Sequence, residues 1–148
     1  MNIKITNIIN LVKKKIFVEA KLKCIEIQNL YKNNPEFLNI FAVILFELKE
    51  YNHSIEKWKE AINLNSNYFQ ASENLANAFL KLKKYHDALE YFNKAIKINP
   101  AAFHVYNNIG NTLTKLNKFR EALDFYKINS FHIIFPITYF GFSMNHIS

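Results

Sequence analysis

Glycine and proline are scarce in this 148-residue chain, at two and three residues. That excludes a turn-rich all-β fold, which would need such residues between many short strands. The single cysteine, Cys24, allows no internal disulfide and no cysteine-based zinc site. Arginine is almost missing: lysine supplies 18 of the 19 basic residues and Arg120 the other. Sites that read phosphates or base edges favour the guanidinium fork. The net charge of +7 is scattered without a basic stripe carrying stacking aromatics, so nucleic acid is not an expected partner. Long apolar runs are absent as well, and no stretch has the length and purity of a membrane span. Asn2, Asn7 and Asn10 interrupt the segment where a signal peptide would need an unbroken apolar core. A soluble, cytoplasmic protein is expected.

What the chain has in quantity is periodicity. Phe17, Tyr51, Tyr85 and Phe119 recur at 34-residue intervals. So do Ala20, Ser54, Ala88 and Ala122, and likewise Leu11, Leu45, Phe79 and Leu113. Four units follow, at 1–34, 35–68, 69–102 and 103–127, the first degenerate and the last incomplete. A repeat of this length marks a stacked array in which each unit buries its apolar face against its neighbours.

Within unit three, Leu75, Ala76, Phe79 and Leu82 fall at three- and four-residue spacing, predicting a helix over 69–82. Lys83 and Lys84 make a turn, and Tyr85, Ala88, Leu89, Phe92, Ala95 and Ile96 predict a second helix. It should end near Ile98, because Asn99-Pro100 disfavours further helix. Unit two predicts helices near 35–48 and 51–64, with Asn34 capping and Pro35 in the first turn. Ile8, Ala42, Ala76 and Gly110 should face Ala20, Ser54, Ala88 and Ala122 across each hairpin, letting the backbones approach. Cys24 shares a column with Trp58, Phe92 and Tyr126, so it is read as a small buried apolar residue.

With these columns in place, the chain resembles the tetratricopeptide repeat family over about 1–127. Unit three carries the family's pattern as Ala76, Phe79, Tyr85, Ala88, Phe92, Ala95 and Pro100. Unit two carries Ala42, Leu45, Tyr51, Ser54, Trp58 and Ala61, with Ser66 at the proline position. Unit four carries Gly110, Leu113, Phe119, Ala122 and Tyr126; unit one keeps only Leu11, Phe17 and Ala20. The resemblance implies an all-α fold of antiparallel helix pairs, stacked as a right-handed α-solenoid with a concave peptide-binding groove lined by first helices.

Catalytic chemistry is not expected. His53, His86, His104, His132 and His146 show no spacing suited to a metal, and no glycine-rich phosphate loop exists. Glu56 and Glu60 lie one turn apart beside Lys57 and Lys59, the pattern of a solvated face. No cofactor is implied. The expected function is a non-enzymatic module that binds an extended peptide or partner helix in the groove. Asn39, Asn74, Asn77, Asn108 and Asn111 would supply paired donors and acceptors to a peptide backbone. Phe46 and Leu80 would anchor apolar groups, with Lys81 and Lys115 beside them. The same faces carry Val43, Glu47, Gln70, Glu73, His104, Asn107 and Thr114.

Chaperone-binding members of the family clamp a terminal carboxylate with basic residues. Here Asn39, Val43, His104 and Asn108 stand at four of those positions and only Asn74 fits, so chaperone tails are disfavoured. The alternative expectation is a substrate-presenting array preceding a glycosyl- or sulfotransferase domain. Residues 128–148 hold no Asp, Glu, Lys or Arg and are rich in aromatics. This atypical apolar tail is expected to be a frameshifted or truncated end, rather than a membrane-touching segment or an unusual cap. Self-association through that uncapped end is a further expectation.

Overall fold

The computed structural model describes residues 3–134, which fold as eight helices and no strands. They are α1 (Ile3–Lys13), α2 (Phe17–Tyr31), α3 (Pro35–Glu47), α4 (Tyr51–Leu64), α5 (Phe69–Lys81), α6 (Tyr85–Ile98), α7 (Phe103–Lys115) and α8 (Phe119–Ile134). Each odd helix packs on the even helix after it, and each even helix but the last packs on the odd helix that follows. In addition α1 reaches α3 and α3 reaches α5. The first helices of the units therefore form an inner layer and the second helices an outer one, an all-α solenoid. Helix α8 continues through Ile134, past the point at which the repeat pattern stops. The remainder of the apolar tail, 135–148, lies outside the described residues.

Helix ends follow from local chemistry. The Asn34 side-chain oxygen accepts a hydrogen bond from the Phe37 N–H at 2.8 Å, satisfying one of the orphan donors of α3. Pro35 at the first turn costs nothing, because its missing N–H would have had no helical partner. Within each hairpin one residue turns left-handed: Lys15, Lys49, Lys83 and Asn117, with φ of 59°, 64°, 59° and 60°. In unit three the Lys83 N–H then bonds to the Leu80 carbonyl and the Lys84 N–H to the Phe79 carbonyl. The other three hairpins repeat the pair, a Schellman closure that satisfies the last carbonyls of each first helix. Glycine is the usual residue there; lysine at this φ carries a steric cost that the chain bears three times.

The small-residue columns are where the helices meet. Ala42, Ala76, Ser54, Ala88 and Ala20 have no exposed surface, and Ile8, Ala122 and Gly110 are buried with them. Gly110 has a particular reason. A Cβ there would stand 2.6 Å from the Tyr126 ring, whereas Ala is tolerated at the same register in units two and three. Helix α3 joins two cores. Its Phe37, Phe41, Ile44 and Leu45 pack with unit one, while Leu38, Ala42 and Phe46 pack with units two to four. Burial on two sides explains why its sequence is apolar nearly all round.

One column departs from expectation. Phe119 shares its repeat position with Tyr51, which packs against Phe46, yet it is 63 % exposed. Leu123 is exposed too, although its register mates Ile55 and Leu89 pack against the core. Those mates are covered because a following unit lies against α4 and α6; among the described residues nothing follows α8.

Candidate functional site

The inner layer gathers the predicted groove residues, but unequally. Asn39 of α3 is a hydrogen-bond node. Its side-chain oxygen accepts from the Trp58 indole N–H and from the Asn74 side-chain amide, each at 2.9 Å. The indole N–H is a donor only, so it fixes which way the Asn39 amide points. Asn74 must then present its NH2 to Asn39, which leaves its own Oδ1 without a side-chain partner among the described residues. Asn39 thus ties α3 to α4 and α5, a structural duty the sequence did not announce.

Asn77, one turn further along α5, accepts at Oδ1 from the Asn108 side-chain amide of α7 at 3.2 Å. Its own NH2 has no side-chain partner among the described residues. Asn74 Oδ1 and Asn77 Nδ2 therefore offer one acceptor and one donor, four residues' worth of helix face apart at most, at a single cavity. That cavity measures about 230 Å³ and lies between α3 and α5. Val43, Phe46 and Glu47 form one wall, Asn74, Asn77, Ala78 and Lys81 the other, with Trp58 of α4 behind them.

Phe46 is less open than its helical position suggests. It is buried, with ring centroids 5.0 Å from Tyr51 and 5.7 Å from Trp58, and lends only part of its ring to the cavity. The Lys81 ammonium sits 5.3 Å from the centre of the Phe46 ring, a cation–π placement that draws this lysine over the cavity. Glu47 is exposed at the rim and enters no ion pair with another described residue. Leu80 is half-buried and packs against the core beside this wall.

The next step of the inner layer, between α5 and α7, is chemically different. His104 Nε2 meets Glu73 Oε1 at 2.6 Å, and the His104 ring stands edge-on to Phe69. Asn111 is taken up by the Tyr126 hydroxyl, which donates to its Oδ1 at 2.8 Å. Thr114 returns its hydroxyl to the Gly110 carbonyl at 2.9 Å. Lys115 is exposed at the end of α7. Of the predicted residues, Phe46, Asn74, Asn77 and Lys81 line the α3–α5 cavity, and Asn39 is bonded to Asn74 beside it, while Leu80, the register mate of Phe46, is not among its lining residues. Asn108, Asn111 and Lys115 lie along α7. Trp58 and Ala78 were missed as lining residues. The signal for Trp58 was available, since it is the only member of its aromatic column with an N–H to place.

Cys24 is fully buried, and burial pushes its thiol up to about 12, so it stays protonated and unreactive. Among the described residues no group of three or more His, Cys, Asp or Glu could hold a metal ion. None of the helices described is long and apolar enough to cross a membrane.

Comparison with known proteins agrees with this architecture. Two models described as tetratricopeptide repeat match residues 70–101 and 104–127, and one described as TPR repeat matches 43–83. Together they span most of 43–127, and the chain belongs to the tetratricopeptide repeat family, a scaffold class of protein-interaction modules. Among solved structures it resembles a crystal structure of MamA, with a TM-score of 0.80 and 21% identity over 84% of this chain and 72% of that one. MamA 41-end from Desulfovibrio magneticus RS-1 is similar at TM-score 0.76 and 22% identity, over 87% of this chain and 75% of that one. The first TPR of Spaghetti (RPAP3), bound to the HSP90 peptide SRMEEVD, aligns at TM-score 0.71 and 20% identity. That alignment covers 76% of this chain and 89% of the other. Such identities speak for the shared fold. No curated protein sequence matches the chain.

Proposed function

We propose that this chain is a non-enzymatic module that holds an extended peptide of a partner protein along its inner layer, seated at the α3–α5 step. The observation that carries this is the unspent acceptor and donor of Asn74 and Asn77 beside an open cavity. An extended peptide bonded to no strand needs one acceptor and one donor for each backbone unit, which this pair supplies whatever the side chains. Affinity should be micromolar, about −8 kcal/mol, because a few contacts must offset the ordering of a flexible ligand.

Terminal carboxylates fit this seat poorly. Asn39 is consumed by Trp58 and Asn74, His104 is engaged by Glu73, and the Glu47 carboxylate stands at the cavity rim. A chaperone tail would meet one ammonium, Lys81, beside the Glu47 carboxylate, where a clamp needs several cations.

The test is binding of peptides selected from a random library on the full chain, followed by Asn77→Ala. Loss of one neutral hydrogen bond should weaken binding about five- to tenfold. Unchanged affinity in that variant would refute the seat.

A further inference from the structure

We infer that the α3–α5 cavity is a specificity pocket for one aromatic side chain of the bound peptide. This rests on the peptide-binding reading and adds to it the class of residue that the groove selects. The cavity has an apolar floor and a polar mouth. Its floor is made by the Phe46 and Trp58 rings with Val43 and Ala78. At about 230 Å³ it has room for a phenylalanine or tyrosine ring.

No polar group of the floor is left to greet a polar guest, because the Trp58 N–H is already given to Asn39. A polar side chain could pair only with the asparagines at the mouth and would leave the apolar floor unfilled. The Glu47 carboxylate and the Lys81 ammonium line the same cavity and balance, so the seat has no net charge to draw in an acidic or a basic guest. An aliphatic guest would fit but would forgo the ring contact that the uncovered part of Phe46 offers to an aromatic one. The mouth groups, Asn74 Oδ1 and Asn77 Nδ2, then hold the backbone next to the buried ring. Pocket and backbone reading are thus separate functions of adjacent residues, and each can be removed alone.

The α5–α7 step lacks this construction. Phe92 replaces Trp58 at the same register and Leu80 replaces Phe46, so the second step has one fewer ring on each side. One aromatic residue per peptide is therefore expected, not a repeating series.

The experiment pans a phage-displayed random dodecapeptide library on the full chain and scans the selected peptides with alanine. Trp58, the only tryptophan, reports occupancy by its fluorescence. Selected peptides should share an aromatic residue at one position. Its replacement by alanine should cost at least about tenfold in affinity and abolish the change in Trp58 emission. Val43→Phe fills the pocket with the chain's own ring, so in that variant the same replacement should cost less than about twofold. If this variant does not fold, as judged by circular dichroism, the wild-type scan and the Trp58 signal decide alone. Peptides that weaken with Asn77→Ala yet tolerate alanine at every aromatic position would overturn the pocket and leave the groove standing. No selected peptide, or peptides indifferent to Asn77→Ala, would overturn both.

Discussion

Trp58, Phe92 and Tyr126 occupy one register in units two, three and four, yet the two steps of inner layer beside them differ in chemistry. At the α3–α5 step the Trp58 indole turns inward to Asn39, and the cavity above it keeps an acceptor and a donor free. At the α5–α7 step Phe92 has no polar handle, and Asn111 accepts at Oδ1 from Tyr126 as Asn77 does from Asn108, so Asn108 and Asn111 keep an acceptor and a donor of the same kind. The backbone, the columns and the asparagine pair repeat; what differs is the lining beside them, Phe46 and Trp58 at the first step and Leu80 and Phe92 at the second. A repeat array can therefore make neighbouring steps chemically distinct by varying a few side chains on a constant frame.

The sharpest way to break this comparison is to truncate the two handles. Trp58 is 2 % exposed and holds three helices together, so Trp58→Ala should cost about 3–5 kcal/mol. Tyr126 is half-buried on the last described helix, so Tyr126→Ala should cost only about 1–2 kcal/mol. Urea denaturation followed by circular dichroism measures both, and equal losses would show that the two steps are energetically alike.

Next come the small-residue columns. Ala88→Leu should overpack the central hairpin by about 1–3 kcal/mol, since α6 is hemmed in by α5 and α7. Ala122→Leu should cost about half as much, because α8 has no described helix on its far side and can shift to make room. A larger loss at Ala122 would mean that α8 is held more firmly than its exposed Phe119 and Leu123 imply.

Much of this frame was legible in the sequence. Helix α6 begins at Tyr85 and ends at Ile98, where the periodicity and Asn99-Pro100 placed it. The Asn34 cap and the paired small columns were readable for the same reason: each rests on local spacing. The site was legible only in outline. Helical position put Asn39 on the inner face, but its pairing with Trp58 depends on how α3 and α4 rotate against each other. Position likewise suggested an open Phe46, whereas Tyr51, Trp58 and Lys81 close around it. The left-handed turns were hidden because lysine, not glycine, occupies three of the four.

Smaller effects sharpen the comparison further. Ser54 is the one hydroxyl in its column, fully buried with no hydrogen-bond partner for its Oγ. Ser54→Ala should stabilise the chain by about 1 kcal/mol, and Ala88→Ser should destabilise it by a similar amount. Thermal melts of the two variants should move in opposite directions. The smallest change is at the turns. Lys83→Gly should gain about 1 kcal/mol by removing a strained left-handed residue, and Asn117→Gly only a few tenths, since asparagine tolerates that conformation.

The most direct test is a titration of the full, isotope-labelled chain with its tightest selected peptide, followed by nuclear magnetic resonance. The account predicts that the Trp58 indole and the side-chain amides of Asn74 and Asn77 shift together, while the amide of Asn111, which does not line the cavity, moves little. A peptide that binds and leaves the α3–α5 resonances still, shifting instead those of the outer helices, would contradict it.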